Sequence, residues 1–219
     1  MTGFSNTDFV ALGEAVRITR HKGEVRYFGR DWPAFWRRLN TRRVLLKLND
    51  QQLRDIYDLA KMGPTSANAQ PARILFLRSR EAKERLRPAL TPGNLDKTMA
   101  APVVAIVAHD LNFHEKLPQL FPHKPQTKDG FMGDANLAKR QAFAFRNGTL
   151  TGAYLIMAIR AVGLGAGPMS GFDNATVDRE FFPDGTVKSN FLCNIGVGDP
   201  GKVMGRLPRL SFDEACKIL

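Results

Sequence analysis

The segment APVVAIVAHD, at residues 101–110, constrains the fold more than any other part of the sequence. It is a continuous apolar run with β-branched residues, which is typical of a strand buried on both faces. KSNFLCNIGVGD at residues 188–199 is a second strong strand, and ARILFLRS at residues 72–79 is a third candidate. Because neither face of such strands can be left in water, helices must cover them.

The clearest helix lies in NDQQLRDIYDLAKMGP, at residues 49–64. Apolar residues recur there at i, i+3, i+4 and i+7, Asn49 or Asp50 can cap the first turn, and Gly63-Pro64 stops the last. Residues 136–163 predict a long helix, and shorter helices are predicted in EAKERLRPAL, VDREFF and the C-terminal SFDEAC. A few strands separated by long helical blocks indicate an α+β fold, a central sheet wrapped by helices.

Two stretches carry no regular pattern. Residues 111–135 form a polar, proline-containing excursion, whose length predicts a functional loop or lid. Residues 1–48 mix aromatic residues and arginines without a sustained period, which predicts an irregular, basic N-terminal segment. The ordered domain is therefore predicted to span residues 49–219.

The net charge of +11 raises nucleic acid as a candidate partner. Residues 1–50 contribute +5 of it, from ten basic against five acidic residues, so the rest of the chain is only mildly basic. Because that part has no aromatic-basic repeat, zinc-finger spacing or recognition helix, we expect no nucleic-acid partner.

The compartment is predicted to be the cytoplasm. No stretch approaches the ~18 consecutive apolar residues of a membrane span, and no leader pattern opens the chain. The two cysteines, Cys193 and Cys216, are too few for a disulfide framework and are predicted to be buried free thiols in a reducing environment.

Two glycine-rich motifs imitate nucleotide sites. GVGDPGKV nearly spells a phosphate-binding loop, but Val203 has no hydroxyl for magnesium and Pro208 prevents the required helix. GLGAGPMSG resembles a dinucleotide-binding turn, yet it follows a helix where that motif requires a strand. We therefore interpret Gly163 and Gly165 as a helix stop.

The histidines do not form a metal site. Their spacing fits neither one helical face nor a zinc loop, so they are expected at the surface or in loops: His109, His114 and His123. No nucleophile is paired with an evident base, so we expect no catalytic dyad.

The segment PTSANAQP, at residues 64–71, is the strongest candidate for a binding site. Thr65, Ser66 and Asn68 place two hydroxyls and an amide on a loop fixed at both ends by proline. A phosphate ester or a flavin ring is bound by many weak polar donors of this kind. Further polar positions could join them: Asn94, Lys97, Ser170, Gly171 and Arg206. Each alone can be loop polarity, a cap, a turn or surface charge, but their coincidence in one small domain favours a site.

Four segments in collinear order resemble the flavin-dependent nitroreductase family: PTSANAQPARILF, APVVAIVAHD, GAYLIMAIRAVGLGAGPMSGFDNATVD and KSNFLCNIGVGDPGKVMGRLPRLSFDEAC. GPMSGFD and RLPRLSFDEAC resemble most closely the malonic semialdehyde reductase (3-hydroxypropionate dehydrogenase) branch. The resemblance implies an α+β homodimer with a central mixed, mostly antiparallel sheet. It also implies FMN in clefts at the subunit interface.

The resemblance assigns contacts to FMN by position. Thr65, Ser66 and Asn68 match the flavin-contacting loop, which the partner subunit usually offers. The other matches lie at the pyrimidine and ribityl side, at a turn near N5 and at the phosphate: Asn94, Lys97, Ser170, Gly171 and Arg206. A lysine that many relatives have two residues before the phosphate arginine is Met204 here, which weakens that end of the site.

The reaction is implied in the same way. NADPH or NADH gives hydride to the flavin, and a small oxidised substrate then takes its place and receives the hydride. With malonic semialdehyde the product is 3-hydroxypropionate, and a cation must meet the substrate carboxylate. The candidate cations are Arg73, Arg140 and Arg146. The excursion at residues 111–135 matches the region that covers the flavin, so its rings are predicted to line the pocket: Phe113, Phe121, His123 and Phe131.

The N-terminal segment departs from the family pattern. Relatives have an arginine followed by a hydroxyl residue that grip the FMN phosphate, whereas here Arg38 is followed by Leu39. We hypothesise that part of residues 13–48 is foreign to the family, through a frame error or a replaced segment, with weak FMN binding as a consequence. A genuine basic extension is the alternative.

Three functions remain open. The first is an FMN-dependent NAD(P)H oxidoreductase that acts on malonic semialdehyde. The second is a broad nitro- or quinone reductase, which the ratio of kcat/KM values for the two acceptor classes would identify. The third is a flavin-binding or basic interaction protein without turnover, whose flavin NAD(P)H would not bleach.

Overall fold

A four-stranded antiparallel sheet forms the centre of the part of the chain that the structure describes. The structure is a computed structural model, and it describes residues 18–21, 24–27, 48–198 and 205–219. The strand order is β3–β4–β6–β5. The strands are β3 (Ala72–Leu77), β4 (Val103–Asp110), β5 (Gly165–Met169) and β6 (Val187–Gly196).

A second, separate pair of antiparallel strands lies near the N-terminus. These strands are β1 (Ile18–His21) and β2 (Glu24–Tyr27). The prediction that residues 1–48 are irregular is therefore wrong for β1 and β2. Short strands of this length leave too few residues for an alternating pattern to stand out among the surrounding arginines.

Helices pack on both faces of the main sheet. Their bounds are α1 (Asp50–Ala60), α2 (Arg80–Leu86), α3 (Pro92–Ala100), α4 (Leu117–Leu120), α5 (Leu137–Ala161), α6 (Asn174–Phe181) and α7 (Phe212–Ala215). The excursion at residues 111–135 is mostly helical turns, because 3₁₀ turns at Phe113–Lys116 and Pro125–Phe131 flank α4. Turns this short do not produce a periodic pattern of apolar residues, so the sequence predicted a loop here.

The ends of α1 and α5 have specific caps. At the start of α1, the Asn49 side chain accepts a hydrogen bond from the Gln52 N–H at 2.9 Å, and the Gln52 side chain accepts one from the Asn49 N–H at 3.0 Å. At the end of α5, Gly163 has a φ of 84° and its N–H donates to the Arg160 carbonyl. Gly163 is thus the helix stop that was predicted, whereas Gly165 begins β5.

The core lies on both faces of the sheet, as the continuous apolar pattern of β4 predicts. Val103, Ala105 and Val107 pack with α1 and α5. The intervening residues of β4 pack with α2 and α6: Val104, Ile106 and Ala108. Successive side chains of a strand point to opposite faces, so one strand serves both cores and must be apolar throughout. The α+β prediction is confirmed.

The two cysteines differ in environment. Cys193 is buried on β6, and its burial raises the pKa of the thiol to about 11. A thiol with that pKa carries almost no thiolate near neutral pH, so we expect Cys193 to be a poor nucleophile. Cys216 is exposed in the described chain, so the prediction that both cysteines are buried is wrong for it.

Candidate functional site

The loop at residues 64–71 has an unusual backbone. Ala67, Asn68 and Gln70 all have positive φ, at 52°, 47° and 41°. Residues other than glycine adopt this left-handed region at a cost of about 1 kcal/mol or more each, so contacts with the rest of the chain must hold the loop in this conformation. Within the loop, the Thr65 hydroxyl accepts a hydrogen bond from the Gln70 N–H at 3.2 Å, and the Gln70 amide donates to Asn68 at 2.8 Å.

Helix α5 and the neighbouring helical turns anchor this loop. The side chain of Asn147, which is fully buried on α5, accepts a hydrogen bond from the Ser66 N–H at 2.8 Å. The Tyr154 hydroxyl, also on α5, donates to the Pro64 carbonyl at 3.0 Å, and the Asn68 amide donates to the Leu120 carbonyl at 2.9 Å. Asn147 was not among the predicted site residues, because its only signal in the sequence is an amide in the middle of a helix.

Polar groups of the loop remain open to solvent. Ser66 and Asn68 are exposed, and Thr65 is half-buried. The hydrogen bond from the Ser66 N–H to Asn147 fixes the backbone of the loop, so these exposed side chains are held in defined positions. This arrangement suits a polar ligand such as FMN, because binding groups that are already positioned lose little entropy on binding.

A second polar group lies at the turn that follows β5. The Gly171 carbonyl accepts hydrogen bonds from the Thr91 hydroxyl and the Asn94 amide, both at 2.8 Å. A Cβ at Gly171 would lie 2.4 Å from the Asn94 amide nitrogen, so the close approach requires glycine. Ser170 and Lys97 are exposed. Asn94 and Lys97 lie on α3 as predicted, but Asn94 already binds the turn.

The two groups lie on opposite edges of the sheet. Residues 64–71 precede β3, and the turn at Ser170 follows β5, the other edge strand. Three interstrand spacings of about 4.8 Å separate these edges, which is about 14 Å. One chain therefore does not bring Thr65, Ser66 and Asn68 together with Ser170 and Gly171.

The predicted phosphate contacts are not assembled in the described part of the chain. Arg38 and Met204 lie outside the described residues. Arg206 is exposed, as is every residue of the segment 205–219. The predicted role of Arg206 is therefore not met by contacts within the described chain.

Aromatic residues join the turns at residues 111–135 to α5. Phe113 stacks on Phe143 at 4.9 Å between ring centroids, and Phe131 lies edge-on to both. Ala67 of the loop packs against this aromatic cluster. Phe113 is fully buried, so it packs the interior of the cluster and its predicted place on a pocket wall is corrected.

The other predicted wall residues lie nearer the surface. Phe121 is half-buried and contacts the exposed His123, with 4.0 Å between their ring centroids. Phe131 is buried, with its ring against Phe113. Phe121 and His123 thus remain the predicted rings that a ligand can reach without opening the aromatic cluster.

The three candidate cations have different surroundings. Arg73 is paired with Asp110 at 2.5 Å and also donates to the Gln70 and Ala72 carbonyls. It lines a cavity of about 200 Å³ beside the loop, but its guanidinium already has partners. Arg146 is exposed on α5. Arg140 is half-buried and contacts two carbonyl oxygens.

Two histidines are buried. His109 lies on β4, which corrects the prediction of a surface or loop position, and His114 lies in a turn of the excursion at residues 111–135. His109 and His114 are each 6% exposed, and among the described residues Nδ1 of each has no hydrogen-bond partner. Burial is the main cause that lowers the pKa of both. Charged groups that also act on these pKa values are Asp178, Asp110 and Lys188 for His109, and Glu115, Arg140 and Lys128 for His114.

These lowered pKa values predict acid sensitivity. The unfolded chain takes up a proton on each histidine below the ordinary pKa of 6.5, whereas the folded chain resists it. We expect the histidine contribution to stability to be complete above pH 6.5 and to decline as the pH falls below it. Urea midpoints measured between pH 5 and 8 check this. A His109→Gln, His114→Gln double variant should depend less on pH than a His123→Gln control, and equal slopes would contradict the prediction.

Two features are absent from the described residues. They contain no group of three or more His, Cys, Asp or Glu side chains placed to hold a metal ion. They also contain no helix with the length and apolar character needed to cross a membrane.

Comparison with known proteins identifies the family. The model of the nitroreductase family matches residues 46–198. Proteins of Cupriavidus pinatubonensis and Ralstonia pickettii, both provisionally named NADH dehydrogenase/NAD(P)H nitroreductase, are 57% and 58% identical over 169 residues. These matches cover 77% of this chain and 86% of each relative.

Solved structures share the fold at lower identity. A Bacillus subtilis protein, ydfN, provisionally named a nitroreductase, has a TM-score of 0.71 and 19% identity over 85% of this chain and 100% of its own. An Exiguobacterium sibiricum protein of the same provisional name, solved in complex with FMN, has a TM-score of 0.67 and 19% identity over 80% of this chain and 89% of its own.

This chain belongs to the nitroreductase family. The class that fold and family define is an NAD(P)H-dependent oxidoreductase, and the family uses FMN. The family resemblance, the sheet architecture and the cofactor prediction are confirmed at this level.

Proposed function

We propose that the chain uses FMN and NAD(P)H to reduce malonic semialdehyde to 3-hydroxypropionate. The observation that supports the cofactor is the loop at residues 64–71, where exposed polar side chains stand on a left-handed backbone held by Asn147. The choice of substrate is supported by the resemblance of GPMSGFD and RLPRLSFDEAC to the malonic semialdehyde reductase branch. Bound FMN would supply a ring that takes a hydride from NAD(P)H and gives it to the aldehyde carbon. A proton from solvent completes the alcohol.

The chain's residues would hold and orient this cofactor. Thr65, Ser66 and Asn68 are proposed to hydrogen-bond it from the loop, and the other contacts are proposed at Asn94, Lys97, Ser170 and Gly171. Arg206 and Arg38 are proposed for the phosphate. Gly171 lets the turn pack against Asn94 of α3, and this packing positions the exposed Ser170 beside it.

We propose that the working unit is a homodimer. The two polar groups lie on opposite edges of one sheet, so a second copy can bring one group beside the other. The segment 205–219 exposes large apolar residues that a monomer would leave in water: Leu207 at 64%, Leu210 at 70% and Phe212 at 60%. A cleft of about 670 Å³ between α1 and the outer edge of β3 offers space for such a segment.

A broad nitro- or quinone reductase is the second candidate. The names of the Cupriavidus and Ralstonia relatives favour it, as do the accessible rings of Phe121 and His123, since rings stack on flat acceptors. A flavin-binding protein without turnover is the third candidate, and it depends on the Leu39 and Met204 departures from the family pattern.

An anaerobic absorbance experiment separates these functions. We expect purified protein to show a flavin spectrum that NADPH or NADH bleaches and malonic semialdehyde restores. Bleaching that only nitroaromatics or quinones reverse would contradict the substrate and support the second candidate. Flavin that neither reductant bleaches would support the third, and protein that binds no added FMN would refute the proposed site.

A further inference from the structure

Arg140 differs from the other two predicted substrate cations. It is partly buried, and its contacts in the described chain do not neutralise its charge. The half-buried guanidinium donates from Nη1 to the Phe131 and Gly133 carbonyls, both at 2.8 Å. Among the described residues it has no carboxylate partner, whereas Arg73 is paired with Asp110. Neutral carbonyls fix the orientation of an arginine but do not cancel its charge.

The Nε atom of Arg140 is an unsatisfied donor. It is buried and has no hydrogen-bond partner among the described residues. A buried donor without a partner costs about 1–3 kcal/mol, so native proteins rarely keep one unless a ligand, ion or water completes it. A guanidinium has five N–H donors, and the contacts with the two carbonyls use only those of Nη1. Among the described residues the edge formed by Nε and Nη2 is therefore left for a carboxylate, which such an edge binds as a bidentate pair.

The position of Arg140 connects it to the loop at residues 64–71. Phe131, whose carbonyl holds the guanidinium, is part of the aromatic cluster, and Ala67 of the loop packs against the same cluster. The loop is the proposed flavin contact, so an anion at Arg140 would lie beside the cofactor site.

We propose that Arg140 binds the carboxylate of a small carboxylated acceptor and so determines substrate specificity. This inference rests on the proposed function and deepens it. The carboxylate would accept hydrogen bonds from the free donors of the guanidinium, including Nε after a small movement of the turn at residues 125–131. The aldehyde end of the substrate would then point away from the cation, towards the loop.

The test compares Arg140→Gln and Arg140→Lys with wild-type holoenzyme and with Arg80→Gln, an exposed arginine on α2. Calorimetric titration with 3-hydroxypropionate measures binding without turnover, and 1-propanol serves as the uncharged probe. We expect Arg140→Gln to weaken 3-hydroxypropionate about 10- to 100-fold, Arg140→Lys to recover part of it, and Arg80→Gln to match wild type. Binding of 1-propanol should not change among these proteins.

Steady-state kinetics give the second readout. The KM for malonic semialdehyde should rise in Arg140→Gln, while reduction of 1,4-benzoquinone should stay at the wild-type rate. Equal losses with both acceptors would indicate a merely structural role and overturn the proposal, as would unchanged binding of 3-hydroxypropionate by Arg140→Gln or no binding by wild type. Arg140-dependent binding without turnover of malonic semialdehyde would refute the proposed substrate and leave the carboxylate site standing.

Discussion

Asn147→Leu is expected to weaken FMN binding by about 10- to 100-fold. Leucine has a similar volume but cannot accept the hydrogen bond from the Ser66 N–H, which is 2.8 Å long in the native chain. Losing a buried partner costs about 1–3 kcal/mol. That loss falls on a loop whose three left-handed residues already need external support. The loop should then populate other conformations, and the displayed hydroxyl and amide groups should lose their positions.

Quenching of FMN fluorescence measures this effect, with thermal unfolding of the apoprotein as the companion measurement. Asn190→Ala is the matched control. Asn190 lies on β6, and its side chain donates an exposed hydrogen bond to Thr149, which lies on α5 like Asn147 but is not bonded to the loop. Wild-type affinity in Asn147→Leu would show that the loop holds its shape without Asn147. A fall in melting temperature with unchanged FMN affinity would assign Asn147 to stability alone.

Gly152→Val is expected to destabilise the fold by about 3 kcal/mol. Helix α5 crosses the sheet so closely that a Cβ at residue 152 would lie 2.5 Å from the Phe191 ring and 3.2 Å from Val107. Val107 belongs to the core between α5 and the sheet, and Phe191 packs against it. This core is close-packed and has no room for the three carbons of a valine side chain. The helix must move outward or the ring must leave its position.

Chemical denaturation gives the free energy of unfolding of this variant, and near-ultraviolet circular dichroism reports on its packing. Gly93→Ala is the control, because a Cβ there meets nothing within 4 Å and alanine favours a helix over glycine. We expect Gly93→Ala to be as stable as wild type or more so. Gly152→Val with wild-type stability would mean that α5 can lift from the sheet at little cost.

The loop at residues 64–71 shows how far local sequence can predict a site. Its hydroxyls, its amide and its two prolines are visible in the sequence, so the location of the candidate site could be predicted. The contact with Asn147 could not be, because 81 residues separate Ser66 from Asn147 and no local pattern encodes that pairing. The same limit applies to the cations, since only the fold reveals that Arg73 already has Asp110 as a partner.

Strand β5 marks a second limit. Its sequence, GAGPM, contains two glycines and a proline, residues that are rare inside strands, and it reads as a turn. The strand forms because it lies at the edge of the sheet and needs only β6 as a partner, where proline and glycine are tolerated. The pairing with β6 is a long-range contact that local propensity does not reveal.

The sequence by itself determined the buried strands β4 and β6, the helices α1 and α5, the α+β class and the family. These follow from apolar periodicity, capping residues and motifs, all of which are local in the chain. Only the tertiary structure decided that the two polar groups lie on opposite edges of one sheet, that Asn147 holds the loop and that Arg140 keeps an unneutralised charge. Each of these depends on contacts between residues that are distant in the sequence, and burial of the hydrophobic core determines which of those contacts form.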